Sequence, residues 1–170
     1  MKKINSIRQV ELAYIAGILD GEGCIRSQKY IQREKETFGL SVCIVNSNLE
    51  MLLYVQNSLE MGKIRKKKRL PGHNFQVYEW YCSQGEIVSF LEAVLPYLHV
   101  KDRQAKLAIQ FRSRAERGLG YIPSKNRYYQ KTTMFGKTLS VEERRIRKNI
   151  YTEMRGLNSD NHSHWKTWKG

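Results

Sequence analysis

The stretch LAYIAGILDGEG, residues 12–23, runs as an apolar segment straight into Asp20, Gly21, Glu22 and Gly23. On a helix, Ala13, Gly17 and Gly21 recur every fourth residue and form a stripe without bulk, which lets a second backbone come very close. Tyr14, Ile15, Ile18 and Leu19 lie around the remaining face, placed to fill a core beneath a sheet. A helix apolar on nearly every side must be covered on nearly every side. One domain covers one face, so the stripe needs a partner, and the simplest is the same stripe of a second copy related by a two-fold axis. Ala13, Gly17, Asp20 and Gly21 are the resulting candidates for a homodimer contact.

That symmetry would bring the acids of both chains together. Carboxylates clustered in an interface resist ionising together. A divalent cation relieves the repulsion, and Mg²⁺ is held by carboxylate, carbonyl and phosphate oxygens. Gly21 and Gly23 leave room for a phosphate backbone and permit the turn into a following strand. The plainer alternative is a core helix with a polar end.

The chain has 170 residues, enough for one domain with a substantial core. Its 30 Lys and Arg outnumber 16 Asp and Glu, a net charge of +14, which points to a polyanionic partner such as nucleic acid. Nearly all of the surplus lies beyond residue 60. Lys63, Arg65, Lys66, Lys67, Lys68 and Arg69 form one run without an acid, and 15 basic residues face 5 acidic ones between Lys101 and Arg155. No long basic amphipathic helix argues for a membrane surface, and no apolar run approaches the ~20 residues that span a bilayer. No signal-peptide pattern follows the charged N-terminus. The expectation is an intracellular protein, in a prokaryotic cytoplasm or an organelle. Cys24, Cys43 and Cys82 are odd in number, widely spaced and without a zinc pattern, so they read as reduced, mostly buried thiols. His162 and His164 lack partners at metal-ligand spacing.

Four stretches pair a Ser with Glu or Gln three residues later: Ser6/Gln9, Ser47/Glu50, Ser83/Glu86 and Ser140/Glu143. Each is a helix-start signature. Behind them the pattern predicts helices at about 7–21, 48–60, 84–95 and 141–155. A further helix, about 101–117, carries Ala105, Ala108, Ile109 and Phe111 and stops at Gly118. Gly62 and Gly156 stand where helix-ending glycines belong. In TFGLSVCIVN, residues 37–46, Phe38, Leu40, Val42 and Ile44 alternate with Gly39, Ser41 and Cys43, which predicts a strand with one buried face. Strands at about 24–33, 62–69 and 75–82 complete the set, the last two joined by the LPGHN turn. Residues 118–139 read as a loop region. The expected class is α+β: a four-stranded antiparallel sheet with helices on one side, in a single domain 1–170. Its core would span about 7–117, followed by a loop and helical extension over 118–170.

The open side of that sheet would carry Arg26, Gln28, Tyr30, Gln32, Ser41 and the basic strand from Lys63 through Arg65, Lys66, Lys67 and Lys68 to Arg69. Long polar side chains on an open sheet suit the major groove, where base edges are distinguishable. Gln76 and Tyr78 join these candidates, although both alternating sets in 75–82 contain aromatics and leave the facing of Tyr78 and Trp80 open. Lys125, Arg127 and Lys131 can reach a nucleic-acid backbone.

Residues 15–23, IAGILDGEG, resemble the LAGLIDADG motif of the homing endonucleases. The family's order of helix, two strands, helix, two strands and helices matches the order read above. LSVCIVNSNLEMLLYVQNSLEMGKI is similar to its segment from second to third strand, and LPYLHVKDRQAKL to the stretch that supplies its active-site lysine. The likeness covers about residues 8–112.

The resemblance implies that Glu22 is the metal ligand, Gly21 lends it a carbonyl, and Asp20 is the more structural acid. Lys101 matches the basic residue near the scissile phosphate. Asn46 matches a solvent-orienting polar residue, with Asn48 as the alternative register. Glu22 stands where many members have Asp, and the extra arginine of some members is replaced by Glu50 or Leu52. The implied activity is Mg²⁺-dependent hydrolysis of phosphodiesters in both strands of double-stranded DNA, with Mn²⁺ or another divalent ion as a substitute cofactor. One motif per chain implies a homodimer on a long, nearly palindromic target and a role in mobility of the host intron or intein. Arg26, Gln28, Arg65 and Lys67 are the candidates for base contacts, and Lys66 and Lys68 for phosphate contacts. The rival functions are an RNA maturase that binds intron RNA and a DNA-binding regulator without catalysis.

Overall fold

The computed structural model describes residues 7–32, 35–68, 75–116, 121–123 and 137–167. In chain order these form α1 (Gln9–Glu22), β1 (Gly23–Gln32), β2 (Lys35–Asn46), α2 (Leu49–Leu59), β3 (Lys63–Lys66), β4 (Tyr78–Tyr81), α3 (Ile87–Val94), a 3-10 turn (Leu95–Tyr97), α4 (Asp102–Glu116), β5 (Tyr121–Pro123), β6 (Lys137–Leu139) and α5 (Val141–Thr167). β1 to β4 make one antiparallel sheet in the order β1-β2-β4-β3. No helix among the described residues is long and apolar enough to cross a membrane.

Two compact units divide these residues, one running to Arg26 and from Leu40 to Ile109, the other combining Ser27–Gly39 with the chain from Gln110 onward. The first holds the main core. Leu12, Ile15, Ala16, Ile18 and Leu19 of α1 are buried, as are Leu52, Val55 and Leu59 of α2 and Ile87, Phe90, Leu91 and Val94 of α3. α1 lies against α3 and the 3-10 turn, and α2 against β3 and β4. Ile25, Leu40, Val42, Ile44 and Trp80 close the core from the sheet.

Strand register settles the aromatic question. Ile44 and Ile64 both oppose Trp80, which is fully buried, meets Phe90 edge-on at 5.1 Å and donates its indole N–H to the Met61 carbonyl at 3.1 Å. Side chains alternate across a strand, so Glu79 and Tyr81 emerge on the opposite face, beside Arg65 and Lys63. Tyr78 shares the helix-covered side with Trp80, which removes it from the open face.

Local chemistry corrects several other boundaries. α1 begins at Gln9 behind Arg8, which makes no side-chain cap bond, and Ser6 lies outside the described residues. Asn48, rather than Ser47, caps α2 by accepting from the Met51 amide at 3.1 Å. Half of each remaining capping box forms: Glu86 accepts from the Ser83 amide at 2.8 Å, and Ser140 accepts from the Glu143 amide at 3.1 Å. Gly156 continues α5 instead of ending it. The region expected to be loop contains the short β5–β6 ribbon, paired Tyr121 to Leu139, Ile122 to Thr138 and Pro123 to Lys137. Tyr14 is 53% exposed and meets the Tyr54 ring at 5.5 Å, so Leu12 and Ala16 fill the core where Tyr14 was expected.

Gly62 has φ +74°, and a Cβ there would overlap the Trp80 indole. Its backbone is pinned on both sides, its carbonyl accepting from Gln56 at 3.1 Å and its amide donating to Glu86 at 3.3 Å. Gly62→Ala therefore combines strain with overpacking. The expected loss is about 2 kcal/mol of unfolding free energy, read as a lower midpoint in urea at an unchanged slope.

In the second unit, the Phe38 ring meets the Tyr151 ring at a 40° tilt with centroids 5.2 Å apart. The Glu143 carboxylate is buried and receives Arg114 at 2.6 Å and Arg147 at 2.9 Å. Burial alone would raise its pKa, but these two guanidinium groups hold it below the usual carboxylate range. The capping acid expected from sequence is thus turned inward as an ion-pair anchor.

Candidate active site and nucleic-acid interface

α1 ends at the acids. The carboxylate of Asp20 accepts from three successive backbone amides, His99 at 2.8 Å, Val100 at 3.2 Å and Lys101 at 2.9 Å. Its carbonyl accepts from the Lys101 ammonium. Asp20 therefore ties the end of α1 to the segment that opens α4. This intrachain task consumes the carboxylate that sequence reasoning had brought toward a partner's acids.

Glu22 is the last residue of α1 and is exposed, with no hydrogen bond or ion pair of its side chain among the described residues. Gly21 is exposed too, and its carbonyl belongs to the last turn, whose carbonyls lack in-helix amide partners. Lys101 is half-buried. Burial pushes its pKa down, while the nearby acids Asp20 and Glu22 and the Cys24 thiol pull it back up. Gly23 makes the tight exit into β1: its amide donates to the Leu19 carbonyl, and a Cβ would overlap the Leu19 backbone.

This end of α1 suits a hard cation. A carboxylate and a helix-terminal carbonyl are oxygen donors, and the C-terminal end of a helix carries partial negative charge. The described residues contain no cluster of three or more His, Cys, Asp or Glu that could cage a metal alone. Mg²⁺ does not require one, because it commonly keeps waters and takes one or two carboxylates together with substrate phosphates.

Asn46 and Asn48 sit at the exit of β2. The Asn46 side-chain oxygen accepts from the Asn48 amide at 2.8 Å, and the Asn48 oxygen is the α2 cap. Both carbonyl oxygens are committed to the turn and the cap, and the donors not used there are the two NH₂ groups.

The open face of the sheet in the first unit is built around Glu79. Its side chain is only 2% exposed, yet it receives Arg65 and, at 3.3 Å, Lys67. Burial would raise its pKa; hydrogen bonds from Arg65 and Lys67 outweigh that and hold it ionised below the usual range. The Arg65 guanidinium also lies 4.9 Å over the Tyr81 ring. Arg26 donates to Ser41 at 3.2 Å. Lys63 and Lys68 are exposed; Lys66 is exposed too, but it pairs with Tyr78, so by the same alternation it leaves the strand on the helix-covered side rather than the open face where it was expected. The Gln76 amide is occupied, donating to the carbonyls of Lys67 at 2.9 Å and Val77 at 2.8 Å.

Sequence reasoning missed Glu79 and Tyr81, and a lone acid within the strand YEWY was the available signal. The burial of Cys43 was expected, but its place beside Cys24, on the open-face side of β2, was missed. A hydrogen bond from Cys43 lowers the Cys24 thiol to about 6, helped by Arg26 and Lys101, while Cys43 itself is pushed up by that bond and by burial.

In the second unit the Tyr30 hydroxyl donates to the Gln28 side-chain oxygen, and Tyr30 is exposed. The side chains of Gln32, His162 and His164 lie outside the described residues, as do Arg69, Gly118, Lys125, Arg127 and Lys131 entirely. On α1, Ala13, Gly17 and Gly21 are exposed, and a Cβ at either glycine would meet nothing within 4 Å.

No family model matches the chain. Among curated proteins it is 32% identical over 117 residues to the DNA endonuclease I-CvuI of Chlorella vulgaris, covering 65% of this chain and 68% of that one. The crystal structure of I-CvuI bound to the I-CreI target, with 2 mM Mg and the DNA not cleaved, superposes with a TM-score of 0.55 at 29% identity over 64% of this chain and 69% of the other. The archaeal intron-encoded homing endonuclease I-Vdi141I, complexed with DNA, shares the fold at a TM-score of 0.66 and 17% identity, over 87% of this chain and 84% of the other. Sequence identity to a DNA endonuclease across two-thirds of both proteins, carried on the same fold, establishes that this chain belongs to the LAGLIDADG homing endonuclease family.

Proposed function

We propose that this chain is a site-specific homing endonuclease, an endodeoxyribonuclease that hydrolyses phosphodiesters in both strands of a long, nearly palindromic duplex and so promotes mobility of its host intron or intein. One observation carries the reading beyond family membership. An exposed carboxylate, Glu22, stands at the helix end beside a lysine, Lys101, whose position is fixed through Asp20.

Glu22 and the Gly21 carbonyl would hold the divalent ion. When bound, Mg²⁺ or Mn²⁺ supplies Lewis-acid polarisation of the scissile phosphate and stabilises the charge that develops in displacement. Lys101 contributes positive charge close to that phosphate, and its bond to the Asp20 carbonyl keeps it from swinging into solvent. The amide group of Asn46, or of Asn48 in the alternative register, would orient solvent. Arg26, Arg65 and Lys67 face the base edges, with Glu79 and Tyr81 limiting the freedom of Arg65; Gln28 and Tyr30 extend the polar strand. Lys63 and Lys68 contact phosphates, which position the protein without reading sequence. The exposed stripe of Ala13, Gly17 and Gly21 supports assembly as a homodimer, with one such site per strand.

The test uses the DNA flanking the coding region. Joining its two exon edges yields the expected near-palindrome, to be offered on a plasmid with Mg²⁺ or Mn²⁺. A single double-strand break at the junction is expected, with no cleavage in excess EDTA. A protein that leaves the junction intact while retaining intron RNA on a filter in preference to duplex DNA would be a maturase instead.

A further inference from the structure

We propose that Cys24 and Cys43 form a reversible thiol-modification site that closes into an intrachain disulfide across β1 and β2. The pairing of the two strands places them opposite each other. β1 and β2 are neighbours in the sheet, β1 ending at Gln32 and β2 beginning at Lys35; counting back from that short link sets Arg26 opposite Ser41, whose side chains bond, and Cys24 opposite Cys43. The two thiols lie close enough to interact. Directly opposed residues in an antiparallel pair have Cα atoms about 4.5–5.5 Å apart, within the range a disulfide spans. Their surroundings differ in a useful way. Cys24 is only partly buried, so the oxidant is expected to meet it first, whereas Cys43 is buried. Cys82, the third thiol, is buried in the helix-covered core.

The chemistry balances with a peroxide as oxidant. Cys24 sulfur attacks one oxygen of hydrogen peroxide, the O–O bond breaks, and Cys24 becomes a sulfenic acid as the first water leaves. Cys43 sulfur then displaces the hydroxyl as a second water and closes the S–S bond. Both electrons removed come from the thiol pair, and both thiol protons end in water. A thiol reductant reverses the change by exchange.

The bond would act on the site because Cys24 is two residues beyond Glu22, where α1 passes into β1. Fixing β1 to β2 there constrains the exit of the helix that carries the acid. This consequence rests on the nuclease reading; the disulfide itself does not. Displacements of about an ångström can cost up to ~10²-fold in rate, so a loss of roughly tenfold or more in cleavage is expected on oxidation.

The experiment treats reduced, full-length protein with hydrogen peroxide, alkylates it under denaturing conditions and maps the peptides by mass spectrometry, with cleavage of the duplex target followed in parallel. The expected result is one Cys24–Cys43 linked peptide, an alkylated Cys82, slower cleavage, and recovery of both states with dithiothreitol. Cys43→Ser should lose the linkage and cut normally when reduced. Cys24→Ser provides the same loss of linkage should the buried substitution fold poorly, a point checked by thermal melting. Two alkylated thiols at positions 24 and 43 after oxidation, or a linkage to Cys82 or to a second subunit, would overturn the assignment. Linkage without any change in cutting would overturn the control of cleavage. Linkage in a protein that cuts no DNA when reduced would leave the thiol site standing and remove the nuclease reading.

Discussion

Glu22→Gln is expected to abolish DNA cleavage while leaving binding and folding intact. The side chain is exposed and makes no hydrogen bond or ion pair among the described residues, so replacing one carboxylate oxygen by an amide disturbs no packing. On the proposed reading it removes the charged oxygen donor of a metal site with one carboxylate per chain. A metal's contribution to the transition state is several kcal/mol, and each 1.4 kcal/mol is about tenfold in rate, so the loss should be on the order of a thousandfold or more. DNA affinity measured in Ca²⁺ or without metal should stay within about threefold, because deleting a negative charge beside phosphates does not weaken their attraction to the basic face. Asp20→Asn is the contrast. Its carboxylate holds three amides, so that change should lower the melting temperature and the activity together. A Glu22→Gln protein that cuts at the wild-type rate in Mg²⁺ would remove Glu22 from the metal site, and one that melts lower in step with its activity would show that Glu22 is structural.

The contrast between the two acids also marks how far the sequence could be read. IAGILDGEG names the helix-to-strand exit, and the alternation of Leu40, Val42 and Ile44 names the buried face of β2, because each is a local periodicity that survives folding. That the Asp20 carboxylate is tied down within the chain was not derivable from spacing. It depends on the amides of residues 99–101, which are about 80 positions away and meet Asp20 only in the folded chain.

Glu79 shows the same limit. A carboxylate within a strand of aromatics is an anomaly in sequence, but its cause lies in cross-strand register, which brings Arg65 opposite it. Helix starts failed more narrowly: Ser47 and Asn48 are adjacent residues of equal capping ability, and the backbone chose the second. Gly156 failed as a stop because a solvent-facing glycine inside a helix costs only about 1 kcal/mol, and nothing within 4 Å of it demands a break. Tyr14 was misplaced because apolar periodicity marks what must be covered, not by whom. On α1 the fold covers Leu12, Ile15, Ala16, Ile18 and Leu19 and leaves Val10, Ala13, Tyr14 and Gly17 outside.

That uncovered side leads to the second large effect, in which the signs of two measurements oppose each other. Gly17→Leu should stabilise an isolated subunit and dismantle the assembly. Within the chain, a Cβ at Gly17 meets nothing within 4 Å, and Gly17 lies on the exposed side of α1 with room for a larger side chain to turn toward solvent. Replacing an exposed glycine inside a helix by leucine gains about 0.5–1 kcal/mol in helix propensity. Between chains the same side chain would stand where two backbones are to meet. A two-fold axis presents the obstruction from both subunits, and overpacking at a close-packed contact costs about 1–3 kcal/mol per site. Dimer dissociation should therefore rise on the order of a hundredfold or more. Sedimentation at micromolar concentration would then give a monomer where the parent chain gives a dimer, and cleavage of both strands would fall with it, while the thermal midpoint of the dissociated subunit holds or rises. A merely exposed helix face would give the stability gain alone. A Gly17→Leu protein that remains dimeric and cuts both strands, or a parent chain that is monomeric under the same conditions, would mean that the small-residue stripe is not the place where two copies join.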